Sequence, residues 1–261
     1  MTAPSGVERI GHAFSAHSKR AALMPYVMGG FPDIEASRQT GEACAEAGAD
    51  LLELGVPFSD PLADGPVIQA AGTAALAAGA TVDSVMDVCA ALAERLPILL
   101  MTYANAVMAG GGERFLEAAA RAGAAGLIVP DLPHDEAGPL REACDRAGLA
   151  LVPLAAPTTS VERLRAIGSD ARGFVYTVPL AGTTGERDEL PPLMTETVAR
   201  VRRTTDLPVA VGFGISTPAQ AAGVADVADG VIVGSRVVRA AGESGPAAAG
   251  EVVLELAAAL A

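Results

Sequence analysis

The stretch from Asp50 to Pro66 reads DLLELGVPFSDPLADGP. Its first half is a short apolar run, the kind of sequence that forms a strand covered on both faces. Its second half is a loop dense in Pro, Gly and Asp. Similar apolar runs recur at Leu23–Met28, Asp50–Gly55, Pro97–Tyr103, Gly126–Val129, Ala150–Leu154, Gly173–Val178, Val209–Gly212 and Gly230–Val233. Ala-rich segments with helical spacing lie between them, at Ile34–Ala47, Val82–Leu96, Gly112–Ala122, Asp135–Ala147, Val161–Ile167 and Leu193–Thr204. Eight strand-and-helix units in about 250 residues predict an α/β fold, a (β/α)8 TIM barrel. A doubly wound open sheet is the rival. It usually has fewer strands and one G-x-G-x-x-G turn, and VMGGFPD at Val27–Asp33 is not that turn. No linker, charge block or low-complexity tract divides residues 1–261, so a single barrel domain is expected. An extra N-terminal helix, at about Gly6 to Lys19, is expected to close the bottom of the barrel.

Composition excludes several functions. The 31 acidic residues outnumber 18 basic ones, a net charge of −13, so the chain has no basic footprint for nucleic acid or an anionic membrane. The mean hydropathy is high at +0.37, but the longest uncharged stretches are broken by Pro, Gly, Asn and Gln. None is the run of about 20 apolar residues that a spanning helix needs. The start, MTAPSGVERIGHAF, lacks the apolar core of an export signal, and the odd number of cysteines fits a reducing cytoplasm. Cys44, Cys89 and Cys144 lie in Ala-rich helical patterns and are expected to be small buried residues. The single lysine, Lys19, sits in the N-terminal helical stretch, away from where a Schiff-base lysine would be needed. His12, His17 and His134 have no metal-ligand spacing, so no metal site is expected.

Barrel active sites form at the C-terminal ends of the strands, and there the sequence offers carboxylates. Glu53 alternates with Leu52 and Leu54, which aims its carboxyl to the opposite face from theirs. A carboxyl pointing into a barrel is costly unless solvated or functional, and burial raises its pKa into a range useful for proton transfer. Asp60 and Asp64 follow in the loop, each before a turn-making Pro or Gly. Turn capping and function are both open readings for these two.

The run ELGVPFSDPLADGPVIQ, Glu53–Gln69, closely resembles the signature of the tryptophan synthase α subunit family. The resemblance extends in order through PYVMGGFPD, LMTYAN, LIVPDLP, APTT, FVYTV, AGTTG, VGFGIS and DGVIVGS, nearly the whole chain. It implies retro-aldol cleavage of indole-3-glycerol phosphate to indole and glyceraldehyde 3-phosphate, with no cofactor in this chain. It also implies a partner, a pyridoxal-phosphate-bearing β subunit in an α2β2 assembly, which receives the indole.

The resemblance further implies roles for named residues. Glu53 is the acid/base serving the indole C3 and the glycerol hydroxyl, and Asp64 is the carboxylate facing the indole N–H. Gly185, Gly214, Gly234 and Ser235 are expected to hold the phosphate through backbone amides, because glycines allow close approach and a helix N-terminus adds positive partial charge. Ser235 equally fits a helix N-cap with no ligand. Tyr26, Met101, Ile128 and Phe213 are expected to line the indole slot, with ordinary barrel packing as the other reading, and the Tyr103 and Tyr176 hydroxyls to orient carboxylates or glycerol. Thr184 is expected to meet Asp64 as the loop closes, and Pro57, Asp60, Asn105 and Asp131 to face the partner. Gly182-Thr183-Thr184-Gly185 departs from the family's usual Gly-Val-Thr-Gly, and Pro179-Leu180 replaces more polar residues. A stand-alone lyase releasing free indole and a catalytically weak activator of a β subunit are the alternative functions.

Overall fold

The computed structural model describes residues 4–109, 111–178, 192–212 and 214–261. Nine parallel strands form one sheet: β1 (Ala22–Met28), β2 (Leu52–Gly55), β3 (Ile98–Met101), β4 (Gly126–Ile128), β5 (Ala150–Val152), β6 (Leu154–Ala155), β7 (Val175–Thr177), β8 (Val209–Gly212) and β9 (Gly230–Val233). They run in the order β5-β4-β3-β2-β1-β9-β8-β7-β6, a nearly closed barrel. Its two ends, β5 and β6, are consecutive in the chain and separated by Pro153 alone. The expected fifth strand, Ala150–Leu154, is therefore two strands. Proline has no N–H to donate to a ladder and interrupts it. The Pro153 carbonyl still accepts from the Tyr176 amide at 3.0 Å, so the barrel wall continues past the break.

The helices are α1 (Gly6–Ser15), α2 (Ile34–Glu46), α3 (Pro66–Ala77), α4 (Val82–Leu92), α5 (Ala104–Ala109), α6 (Gly112–Arg121), α7 (Gly138–Ala147), α8 (Val161–Asp170), α9 (Pro192–Arg202), α10 (Pro218–Ala225), α11 (Ser235–Ser244) and α12 (Pro246–Ala259). α3 has no counterpart among the expected helices. In PVIQAAGTAALA only Gln69 and Thr73 are polar, so the helical period is faint, although Ile68, Ala71, Gly72 and Ala75 make its buried face. α1 stops at Ser15, short of Lys19. A capping box between Ser5 and Glu8 starts it.

Two apolar layers follow from strand alternation. One face of the strands packs against the helices, and Cys44, Cys89 and Cys144 lie there as buried free thiols pushed up to about 12 by burial. The other face fills the barrel with Met24, Leu51, Leu99, Ile128, Val152, Phe174 and Ile232. α1 closes the bottom of this interior. Its Ile10 is fully buried among those residues, and the rings of Phe14 and Phe174 lie 5.3 Å apart. Burying a side chain the size of Ile10 contributes about 1.5–3 kcal/mol. Lys19 bonds Asp50 at 2.9 Å, and Asp50 accepts from the Leu23 amide at the start of β1. The lysine thus serves the bottom of the barrel, at the opposite end from the carboxyls of the mouth. Among the described residues, no single helix is long and apolar enough to cross a membrane.

Candidate active site

β1 and β2 pair in parallel with Tyr26 opposite Glu53. Met24 and Leu51 point into the barrel, so Tyr26 and Glu53, each two residues further on, share that inward face. Leu99 flanks Glu53 on the other side. Glu53 is 1% exposed, and its Oε1 makes no hydrogen bond among the described residues. Burial, and secondly the charge of Asp64, push its carboxyl up to about 8.

Asp64 lies in the loop between β2 and α3, just before the helix N-cap Gly65. Burial pushes its carboxyl up to about 6, against a hydrogen bond with the Tyr103 hydroxyl that lowers it. Tyr103, just beyond β3, also accepts from the Ala63 amide at 3.1 Å, and its ring stacks on Phe58 with centroids 5.2 Å apart. The Gln69 side-chain amide donates to the Asp64 carbonyl at 2.9 Å. A strand-end tyrosine and the first turns of α3 thus hold the loop that carries Asp64. Phe58 and Gln69 carry no such signal in the sequence, because their roles depend on how the loop folds back.

The three tyrosines Tyr26, Tyr103 and Tyr176 are all buried, and burial is the largest cause raising each phenol above its ordinary range. They are neutral hydrogen-bond donors at any working pH. Tyr26 and Tyr176 both sense Glu53 and Asp64 electrostatically, which places all five groups in one cluster. The two carboxyls are pulled apart in pKa by position. Between about pH 6 and about pH 8, Asp64 is charged while Glu53 keeps its proton.

Two glycines make room for this cluster, and neither is evident without the strand register. A Cβ on Gly55 would lie 1.9 Å from the Tyr26 hydroxyl, and one on Gly212 would lie 2.3 Å from the Tyr176 hydroxyl. In both cases the glycine stands two residues beyond the tyrosine's partner on the next strand, since Tyr26 pairs with Glu53 and Tyr176 with Ala210. Each ring therefore leans over the neighbouring strand toward the mouth. Ile128 and Tyr176 belong to the interior apolar cluster, against which Met101 packs, and Met101 also packs against the cluster of Tyr26 and Ile68. Phe213, Thr184 and Gly185 lie outside the described residues, as do Pro179, Leu180 and Thr183.

Gly234 is the N-cap of α11, and no side chain caps that end. A Cβ on Gly234 would sit 3.6 Å from Tyr26 Cβ, so the open helix end adjoins the tyrosine that neighbours Glu53. Ser235 is the first helical residue and exposed, not the N-cap its sequence position allowed. Gly214 has a φ of +73°, a conformation that favours glycine, with open space beside it. Asp60, Asn105 and Asp131 are exposed, whereas Pro57 is buried. Asp131 accepts from the Ala104 amide at 2.8 Å and so tethers the loop after β4 to the start of α5. Leu62 and Met108 project from the same region, 90% and 66% exposed. Among the described residues no group of three or more His, Cys, Asp or Glu is placed to hold a metal ion.

Comparison with known proteins agrees with this architecture. The family model for the tryptophan synthase alpha chain matches residues 13–259. The tryptophan synthase alpha chain of Carboxydothermus hydrogenoformans is 47% identical over 236 residues, covering 89% of this chain and 88% of that protein. That of Methanosarcina mazei is 50% identical over 222 residues, covering 85% and 81%. Among solved structures, Mycobacterium tuberculosis tryptophan synthase superposes with a TM-score of 0.91 at 39% identity, covering 99% of each chain. The tryptophan synthase α2β2 complex of the hyperthermophile Pyrococcus furiosus, studied for its mutual activation, gives 0.86 at 38% identity, covering 91% and 98%. By the extent of both the sequence and the structural match, the chain belongs to the tryptophan synthase alpha chain family.

Proposed function

We infer that the mouth of this barrel carries out its family's lyase reaction, cleaving indole-3-glycerol phosphate to indole and glyceraldehyde 3-phosphate, with Glu53 as proton shuttle and Asp64 as fixed anion. The observation that carries this reading is a carboxyl buried on the inward face of β2, Glu53 at 1% exposure, with a second carboxyl, Asp64, on the loop that follows the same strand. Burial raises both, Glu53 further than Asp64. Protonated Glu53 gives its proton to indole C3, and the ring becomes an indoleninium cation. Ionised Asp64 stabilises the positive ring N–H as that charge develops. The Glu53 carboxylate then takes the proton of the glycerol hydroxyl, the C–C bond breaks, and its electron pair restores the indole ring. Glu53 ends protonated, ready for the next turnover. The chemistry needs two carboxyls and no cofactor in this chain.

The substrate's phosphate fits the uncapped N-terminus of α11 at Gly234 and Ser235, and the family resemblance adds Gly214 and Gly185 to its holders. Tyr26, Met101, Ile128, Tyr176 and Phe213 serve as the wall of the indole slot, Tyr103 holds Asp64, and Thr184 serves loop closure. Gly234→Asp is expected to raise KM for indole-3-glycerol phosphate at least about 10-fold, because it sets a negative charge against the phosphate. Gly234 suits the test better than Gly214, whose positive φ would add backbone strain. Cleavage of a dephosphorylated analogue is the control, and an equal loss on both substrates would point to misfolding.

We read the chain as a single-domain cytoplasmic subunit whose partner is a pyridoxal-phosphate-bearing β subunit in an α2β2 assembly. Asp60, Asn105, Asp131, Leu62 and Met108 present a mixed polar and apolar surface around the mouth, and Pro57 supports it from beneath. A partner seated there receives indole without its entering bulk water. Because one loop carries both Asp64 and Asp60, docking and closure favour each other by linkage. The test is light scattering of the chain with and without a β dimer, combined with the rate of indole release. A monomer alone, a complex on mixing and acceleration of at least about 10-fold are expected. No complex with a high rate alone would favour the stand-alone lyase, and a complex without cleavage would favour the silent activator.

A further inference from the structure

Tyr26 carries a hydroxyl in an apolar cluster with Met28, Ile68 and Val238, and it is 5% exposed. A phenol that serves only as a wall gains nothing from that hydroxyl and must still satisfy it. Among the described residues its one hydrogen-bond partner is the Met28 thioether, 3.8 Å away, a weak acceptor. On the paired strand directly opposite, the buried Glu53 Oε1 has no hydrogen-bond partner among the described residues. The ring leans over Gly55, at a place any side chain on that residue would fill. The glycine therefore decides where the hydroxyl stands, on the mouth side of the Glu53 carboxyl. A good donor lacking a good acceptor and a buried acceptor lacking a donor face the same interior.

We propose that the Tyr26 hydroxyl, seated on Gly55, is a positioning donor for Glu53: it turns from Met28 to the carboxylate when Glu53 gives up its proton. This rests on the role of Glu53 set out above and deepens it. The groups that interact with Glu53 are Tyr26 from β1, Asp64 from the loop after β2 and Tyr176 from β7, while Tyr103 at the end of β3 faces Asp64. Asp64 opposes the carboxylate by charge, and Tyr103 is already engaged by Asp64 and the Ala63 amide. Tyr26 is the phenol in register with Glu53. A bond to the carboxylate favours that form, so it eases transfer of the proton to C3 and holds the base for the hydroxyl step.

Tyr26→Phe keeps the ring and removes only the donor. Indole release should fall about 5- to 20-fold in kcat, with KM within about 2-fold of the parent. The alkaline limb of kcat/KM should move up by about half a pH unit or more, since loss of the donor leaves Glu53 holding its proton more tightly. A structural defect lowers the rate without moving that limb. An unmoved limb, whatever the rate, overturns the proposal, as does a rise in KM alone, which would make Tyr26 a wall of the slot. Glu53→Gln is assayed in parallel. If that variant cleaves normally, the assignment of Glu53 itself has failed. If it is inactive while Tyr26→Phe matches the parent, only the role of Tyr26 has failed.

Discussion

Glu53→Gln is expected to lower indole release at least about 100-fold while making the protein more stable. The amide matches the carboxyl in shape but cannot shuttle a proton between C3 and the hydroxyl. The stability gain follows from the raised pKa. In the unfolded chain the carboxyl titrates near its ordinary 4.5, and in the folded barrel near 8. Folding therefore binds a proton between those values. The penalty is absent below about pH 4.5, grows as pH rises, and levels off above about 8. At pH 7 it amounts to about 3 kcal/mol, which the neutral amide avoids. An increase in Tm that is larger at pH 8 than at pH 5, together with lost cleavage, is the expected pair of results. A well-folded variant with near-normal indole release would remove Glu53 from the mechanism, and lost activity with lowered Tm would mean the substitution damaged the barrel instead. Such a gain on removing a functional group is expected where a site holds a charge-bearing residue in an apolar interior.

The parts of the barrel that the sequence makes legible are those where one periodicity dominates. Gly230–Val233 and Val209–Gly212 are strands with the bounds their apolar runs suggest, because buried parallel strands are apolar on both faces. Glu53 stands out for the same reason, as an acidic residue inside such a run. α3 is hard to read because its many Ala residues leave Gln69 and Thr73 alone to mark a polar face. Pro153 hides its effect inside an otherwise continuous run, and only pairing with β7 on one side and β4 on the other reveals the break. The expected helix Asp135–Ala147 begins instead as a 3-10 turn at His134–Glu136, with α7 starting at Gly138. Gly138 and Pro139 are adjacent there, and proline is favoured in the first turn of a helix.

The site divides along a similar line. Residues proposed to act through their own chemistry, such as Asp64, stand out in a loop as candidates by type and neighbourhood, and the family resemblance is what separates Asp64 from Asp60. Residues that act by what they leave empty cannot. Gly55 reads as an ordinary strand-end glycine until register sets it under the Tyr26 hydroxyl, and Gly212 until it is set under Tyr176. Tyr103 is an aromatic at a strand end in the sequence. In the folded chain it holds a loop from 40 residues away, through its ring on Phe58 and its hydroxyl on Ala63.

Asp64→Asn is expected to cut kcat about 100- to 1,000-fold while changing KM by no more than a few-fold. The neutral substrate ring asks little of a charge at its N–H. The indoleninium asks much, so the carboxylate acts on the transition state more than on binding. The asparagine keeps the shape of the loop residue and its place beside Tyr103. The pH dependence supplies a second, independent readout. Asp64 must be ionised and Glu53 protonated, so the parent kcat/KM should be bell-shaped, rising through about pH 6 and falling through about pH 8. Asp64 has its carboxyl raised above its ordinary 3.8 by burial, which sets the rising limb well above where an exposed aspartate would put it. In Asp64→Asn the rising limb should vanish and the falling limb remain, moved to slightly lower pH because a neighbouring negative charge has gone. A residual activity that still rises through pH 6 would show that another group titrates there. A large rise in KM with kcat preserved would make Asp64 a binding residue for the ground state, and the division of labour between the two carboxyls would then have to be abandoned.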